Sequence, residues 1–589
     1  MKAATVFFVL IFVLSGLAQD ALIMNTGNRT GYCLNGNWHY LIDLTGDRLN
    51  KNLKERFNND LLGYDWLYAD KLYVPGDYNH QKQELFLFEG AVWYQHEFEF
   101  SPEPDKVYFI HFGAVENKAV VYINEHKAGT HAGAYTPFNF EITDFLKKGT
   151  NFIHVCVKND RDKEGVPPVN YDWWNYGGIT RDVQILELSK VHIVDYHIQL
   201  AQNKLDQISG WVSVSKKTPG CPIQIDIPEI DWRCKGVTNA EGRMVFQKKI
   251  QGIEYWSPSN PQLYRVTVSS DTDTITDRIG FRTIHVSGNE ILLNHEPVFL
   301  KGICVHDEIP QKKSRTSSMT DSKILLDWAK ELNCNFLRLA HYTHNENTIK
   351  LADEMGFLIW AEIPTYWQVD FKSERALQSA KQQLTEMINR DRNRASVIIW
   401  SVANETNPGA ARQRFLKHLI EHAKSIDGTR LVTAALKKKK VPLNSALQEC
   451  DDPLMPYVDV ISLNEYIGWY PNQGLNGLPA DCKQVTWKIP DHKPLIMSEF
   501  GAGALYGYHG ADTVRWTEEF QQSLYKYTMD MLEPIPNLCG ICPWLMADYL
   551  SPKRRNTYFQ QFWNRKGLIS NTGKKKKAFY FLKEYYRQR

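Results

Sequence analysis

Between about Asn35 and Leu188 the chain runs in short stretches where apolar and polar residues alternate, separated by Gly, Pro and Asn. Val92-Trp93-Tyr94-Gln95-His96-Glu97-Phe98-Glu99-Phe100 and Lys118-Ala119-Val120-Val121-Tyr122-Ile123-Asn124 are examples. A period of two belongs to a strand with one face in a core. With turn residues this frequent, the pattern predicts a jelly-roll β-sandwich over residues 19–188. The same texture continues over residues 189–283, with Trp211-Val212-Ser213-Val214 and Tyr264-Arg265-Val266-Thr267-Val268 alternating. That stretch fits an immunoglobulin-like β-sandwich acting as a spacer. After Asn289, apolar runs alternate with amphipathic helical patterns such as Ser322–Leu332 and Ala376–Arg390. Strands are expected at Pro297–Lys301, Asn335–Leu339, Phe357–Glu362, Val397–Asn404, Leu431–Thr433, Val458–Asn464, Leu495–Glu499 and Gly540–Trp544. Eight such strands alternating with helices over residues 284–589 predict a (β/α)8 TIM barrel.

Two of the runs end on a carboxylate. Val397-Ile398-Ile399-Trp400-Ser401-Val402-Ala403 stops at Asn404-Glu405, and Pro494-Leu495-Ile496-Met497-Ser498 stops at Glu499. An unbroken apolar run is the signature of a parallel strand buried on both faces, and barrel enzymes carry their chemistry at the C-terminal ends of such strands. Two glutamates at two strand ends match the needs of glycoside hydrolysis. One acid protonates the leaving oxygen, and a second carboxylate attacks the sugar or activates water. The first must stay protonated and the second ionised. Asn404, beside Glu405, offers an amide for a sugar hydroxyl. One such glutamate alone reads equally well as an ion-paired core residue; the pair points to catalysis.

Composition narrows the partners. With 69 Lys and Arg against 67 Asp and Glu, no net field draws nucleic acid or a membrane surface. The 17 Trp and 29 Tyr suit sugar binding, although sandwiches and barrels bury many aromatics anyway. Lys2, the apolar stretch Ala3–Leu14 and Ser15-Gly16-Leu17-Ala18 have the form of a signal peptide over residues 1–18. The mature chain is therefore expected to be secreted or periplasmic, without a membrane span. The ten cysteines are scattered; Cys539 and Cys542 lack a second pair at zinc-ligand spacing and read as core thiols, with one or two disulfides left open. Asn28-Arg29-Thr30 fits a glycosylation sequon. His306 and His341 match no zinc motif and read as pocket hydrogen-bond partners. No metal or cofactor is expected. The lysine runs Lys437–Lys440 and Lys574–Lys577 read as solvated.

Trp400-Ser401-Val402-Ala403-Asn404-Glu405 and Ser498-Glu499-Phe500-Gly501 resemble the acid/base and nucleophile motifs of glycoside hydrolase family two, which includes β-galactosidases, β-mannosidases and β-glucuronidases. Val74–Asn79 and Asn175–Ile179 are similar to that family's N-terminal signatures, and Lys301–His306 and Leu337–Tyr342 to its barrel entry motifs. The resemblance covers nearly the whole mature chain and preserves the family's order. It implies a retaining mechanism with Glu405 as acid/base and Glu499 as nucleophile, their carboxyl groups about 5–5.5 Å apart. Asn564-Arg565-Lys566, in register after Trp544, resembles the motif by which β-glucuronidases recognise the C6 carboxylate. An ammonium and an amide suit that anion. The resemblance further implies that Tyr466 hydrogen-bonds the nucleophile, Tyr470 contacts the uronate and Asp172 reaches the sugar hydroxyls. Three features depart from the pattern. Gln560 stands where bacterial β-glucuronidases often have Arg, Trp173-Trp174 replaces the more usual Phe-Phe, and no long insertion follows the first barrel strand. The expectation is an exo-acting β-glucuronidase. A β-galactosidase or β-galacturonidase on the same scaffold, or an inactive carbohydrate-binding protein, are the alternatives. Assembly into homo-oligomers stays open.

Overall fold

A computed structural model describes residues 22–44, 66–439, 445–471 and 476–589. The expected signal peptide and Lys440 lie outside the described residues.

Near the N-terminus, a six-stranded antiparallel sheet packs on a four-stranded one. Trp38, Val92, Tyr94 and Val155 from the first meet Ile110, Phe112, Phe138 and Ile185 from the second in one core. Ala91–Phe100 pairs in full with Gly149–Lys158, so the alternating stretch picked out by its period lies at the centre of the larger sheet. Next come a three-stranded and a four-stranded sheet, joined through Ile198, Val212, Ile225 and Val266. Tyr264–Ser269 alternates between buried and more exposed positions, as its pattern predicts.

The third unit is a closed barrel of eight parallel strands: Leu300–Val305, Phe336–Leu339, Leu358–Glu362, Val397–Asn404, Leu431–Lys437, Ile461–Asn464, Leu495–Glu499 and Leu538–Ile541. They are numbered one to eight below. Every residue of strand four is buried, which is why its sequence shows no alternation. Two expectations need correction. Pro297 belongs to a small antiparallel sheet with Ile284–Ser287 and Glu290–Leu293, and strand one starts three residues later. Helices do not follow every strand. Between strands five and seven the described residues hold no α-helix, and the short strands Leu447–Glu449 and Thr486–Lys488 pair instead. Pro453, Pro456, Pro471 and Pro479 interrupt that stretch, and proline removes a donor and clashes within a helix. Where helices form, the caps are local: Ser318, Ser373 and Thr517 accept backbone N–H bonds from the first turns of Met319–Glu331, Glu374–Asp391 and Glu518–Leu532.

The two N-terminal-domain loops have different tasks. In Val74–Asn79, Asp77 caps a short helix and accepts the backbone N–H of Arg315 from the barrel at 3.1 Å. Asn79 accepts the N–H of Gly177 at 2.8 Å, which ties this loop to the next. A Cβ at Gly177 would lie 2.2 Å from the Tyr78 hydroxyl, so only glycine fits there. The second loop then carries Trp173 and Asp172 over the barrel, where Trp173 packs 5.0 Å from Tyr366 and 5.9 Å from His341.

Candidate active site

The C-terminal ends of the barrel strands surround a cavity of about 270 Å³. Its walls are Asp172, His341, Tyr366, Trp367, Glu405, Tyr466, Tyr470, Glu499, Trp544, Arg554 and Lys566. Both glutamates that end the apolar runs line this one cavity.

Glu499 is buried and fully coordinated. Arg338 donates to its Oε1 at 2.8 Å and the Tyr466 hydroxyl donates to its Oε2 at 2.8 Å. His341 Nε2 lies 3.8 Å from Oε1. Two donors, one on each oxygen, suit the ionised form, which only accepts. Burial pushes the Glu499 carboxyl above its ordinary range. Arg338 and His341 pull it back, Glu405 pushes it up and the Tyr466 hydroxyl lowers it. Arg338 organises this side. From strand two its guanidinium also donates to Glu362 at 3.1 and 3.2 Å and to the Asn404 side-chain oxygen Oδ1 at 2.7 Å. Burial opposes ionisation of Glu362, but Arg338 and His341 outweigh it and hold the carboxyl at about 2. His341 Nδ1, 2.7 Å from Glu362, is thereby oriented with its other nitrogen towards Glu499.

Glu405 follows strand four in a left-handed backbone conformation, φ 51°. For a residue with a side chain that conformation costs about 1–3 kcal/mol, and such outliers concentrate at functional sites. Glu405 is half-buried, and the Trp367 indole N–H donates to its Oε2 at 2.9 Å. No second donor from the described residues reaches this carboxyl.

Lys566 stands on another part of the wall. Its ammonium donates to the Tyr470 hydroxyl at 2.8 Å and lies 4.7 Å from the ring centre of Tyr466. Burial would raise the Tyr470 phenol, but the cations of Lys566 and Arg554 outweigh it and draw it below its ordinary value. Two cations, Lys566 and Arg554, thus act on this phenol. Asp172 arrives from the N-terminal domain and pairs with Arg554 while accepting from Ser551 Oγ at 2.6 Å.

Three residues named from the sequence stand one layer behind the wall. Asn404 accepts from Arg338 and, at 3.1 Å, from Asn464 Nδ2, both on its side-chain oxygen Oδ1. Asn564 donates to the Tyr549 hydroxyl at 2.9 Å and accepts the Lys566 N–H at 3.2 Å, so it positions Lys566. His306 stacks on Tyr549 with ring centres 4.0 Å apart and binds the Tyr342 hydroxyl, and burial holds its imidazole well below the ordinary value. Among the described residues no cluster of three His, Cys, Asp or Glu side chains is arranged to hold a metal. All ten cysteines are free thiols, so the disulfides left open by the sequence are absent.

Sequence reasoning gave Arg338, Tyr366, Trp367 and Arg554 no part in the site. Arg338 had a signal: a lone charge inside the apolar strand Phe336–Leu339. Tyr366 and Trp367 follow Glu362 within a few residues, and that strand's own terminal carboxylate marks the same end of the barrel.

Three family models match the chain in sequence order. The "Glycosyl hydrolases family 2, sugar binding domain" model matches residues 85–189, the "Glycosyl hydrolases family 2" model residues 191–282, and the "Glycosyl hydrolases family 2, TIM barrel domain" model residues 284–588. The chain belongs to glycosyl hydrolase family 2. Among curated relatives, a β-glucuronidase of Streptococcus agalactiae is 26% identical, over 94% of this chain and 95% of its own. Among solved structures, a Ruminococcus gnavus β-glucuronidase in complex with uronic isofagomine superposes with a TM-score of 0.83 at 23% identity, covering 96% of this chain and 99% of that one. A β-galacturonidase of Eisenbergiella tayi bound to glycerol gives 0.80 at 24%, covering 95% and 97%.

Proposed function

We propose that this glycoside hydrolase is a retaining, exo-acting β-glucuronidase. The observation that carries the uronate preference is the Lys566 ammonium, which lines the same small cavity as the two glutamates and is paired there with a phenol, not a carboxylate. A C6 carboxylate supplies the missing anion, whereas a neutral galactoside leaves that cation desolvated without one. The β-glucuronidases among the relatives support the same reading. A cavity this size, near the lower end of the roughly 300–1,000 Å³ common for ligand sites, favours a single terminal sugar.

In this proposal Glu405 donates its proton to the glycosidic oxygen while a Glu499 oxygen attacks the anomeric carbon, releasing the aglycone and leaving a glycosyl ester. Water then attacks the same carbon, giving its proton to Glu405, and Glu499 departs as carboxylate; two inversions give net retention. The Arg338 and Tyr466 donors stabilise the carboxylate before attack and after release. The leader-like residues 1–18 support export in the same proposal.

The test is a panel of 4-nitrophenyl β-D-glucuronide, galacturonide and galactoside. The glucuronide should be preferred, and Lys566→Ala should lower its kcat/KM roughly 100-fold, the scale of a hydrogen bond between charged groups. A better galactoside, unaffected by Lys566→Ala, rejects the assignment. A better galacturonide points to the alternative seen in the Eisenbergiella tayi neighbour.

A further inference from the structure

Around the cavity mouth lie cations that bond cleavage does not use. After strand eight the chain reads Pro552-Lys553-Arg554-Arg555. Arg554 enters the wall and pairs with Asp172. Lys553 places its ammonium 4.3 Å from the ring centre of Trp367, and no carboxylate of the described residues comes within ion-pair distance of it. Arg555 is exposed and, among the described residues, donates only to the Pro552 carbonyl at 2.9 Å. Nearby Arg161 stacks 4.6 Å over Tyr171 and pairs with Glu89. Of these four cations, Arg554 pairs with Asp172 and Arg161 with Glu89, whereas Lys553 and Arg555 have no carboxylate within ion-pair distance among the described residues. Burial lowers the Lys553 ammonium; Asp172 pulls it back, and Arg554 and Arg161 lower it further.

Trp367 connects this charge to the chemistry. The indole carrying Lys553 on its face is the one whose N–H holds Glu405. If Glu405 touches the glycosidic oxygen, the group beyond that oxygen lies beside Trp367, whose face can pack on a sugar ring. An anion on that group would meet Lys553 directly. A neutral group would leave this exposed ammonium with the ring, solvent and the more distant charge of Asp172, which is already paired with Arg554.

We propose that the position next to the scissile bond takes an anionic saccharide or aglycone, one bearing a sulfate ester or a carboxylate, with Trp367 as its platform and Lys553 as its counter-charge. This rests on the glucuronidase reading of the pocket. Lys566 answers the anion of the terminal sugar that Glu499 attacks; Lys553 answers a second anion on the departing group.

The experiment compares kcat/KM of the full-length enzyme on β-glucuronosyl disaccharides whose reducing-end sugar is neutral, sulfated or carboxylated. At low salt at least one anionic substrate should exceed the neutral one by roughly tenfold, and the advantage should shrink at high ionic strength. Lys553→Met should bring the ratio of anionic to neutral towards one, and Lys553→Arg should keep it. The sulfated and carboxylated arms show which oxyanion is preferred. Turnover of the neutral disaccharide with a ratio of one in the wild type, or a ratio retained in Lys553→Met, overturns this inference and leaves the glucuronidase reading standing. Absence of turnover on every glucuronide, including the 4-nitrophenyl one, overturns both.

Discussion

The two glutamates of the pocket are housed in opposite ways. Glu499 is buried, and each of its oxygens receives a donor from a different strand end, Arg338 after strand two's apolar start and Tyr466 after strand six. Glu405 is half-buried, has one donor from Trp367 and sits on a strained backbone turn. The contrast matches the two tasks proposed for them. A nucleophile must carry negative charge at a fixed position, so it needs rigid, preorganised donors. An acid/base must lose and regain a proton each cycle, which partial exposure and a single donor allow.

Substitution tests that contrast most strongly at the glutamates themselves. Glu499→Gln should lower kcat roughly 10⁴-fold or more. Glu405→Gln should lower it by roughly 10²–10⁴-fold for poor leaving groups and much less for 4-nitrophenol, which needs little protonation. Steady-state kinetics on both substrate types would expose reversed roles as a reversed pattern. Removing single donors sharpens the comparison. Tyr466→Phe takes a hydrogen bond from a charged oxygen and should cost roughly 10–100-fold in kcat/KM. Trp367→Phe, which removes the single donor to Glu405, should cost less than tenfold in kcat/KM. A larger loss for Trp367→Phe than for Tyr466→Phe would mean that Glu405, not Glu499, depends on preorganised donors.

Away from the pocket, Glu308 and Glu362 extend the same lesson to stability. Both are buried, but Glu362 has Arg338, His341 and the Trp360 indole, and its carboxyl is held at about 2. Glu308 Oε1 has no hydrogen bond, Arg315 stays 3.7 Å away, and burial pushes its carboxyl up to about 8. Between its ordinary value of 4.5 and about 8, the folded chain keeps a proton that the unfolded chain has released. Its contribution to stability is therefore fully present below pH 4.5 and declines as pH rises to 8. The slope is at most about 1.4 kcal/mol per pH unit. Glu308→Gln should remove this decline, so the difference in Tm between variant and wild type should grow in the variant's favour from pH 5 to 8. A constant difference would show that Glu308 is ionised in the folded chain.

How much of this was legible depended on how local the signal was. Strand four was readable residue by residue because full burial leaves an unbroken apolar run, and a carboxylate at its end is conspicuous. Pro297 was misread because a short apolar run does not distinguish a parallel barrel strand from an antiparallel hairpin. The missing helices were obscured by the regular alternation around them, although the prolines were in view. At the site, the glutamates, Tyr466 and Lys566 stood in recognisable motifs. Arg338 lay inside such a motif and Arg554 in none, but neither showed a role, because their partners, Glu499 and Asp172, are 161 and 382 residues away. Such pairings exist only once the barrel closes and the N-terminal domain docks.

The central claim is that Glu499 is the nucleophile of a double displacement. A 2-deoxy-2-fluoro-β-glucuronyl fluoride slows hydrolysis of the glycosyl ester enough for mass spectrometry of proteolytic peptides. The account predicts one added fluoroglucuronyl mass on the peptide containing Glu499, absent in Glu499→Gln. The label on Glu405, or full turnover of glucuronides with inverted product and no labelled peptide, would contradict it.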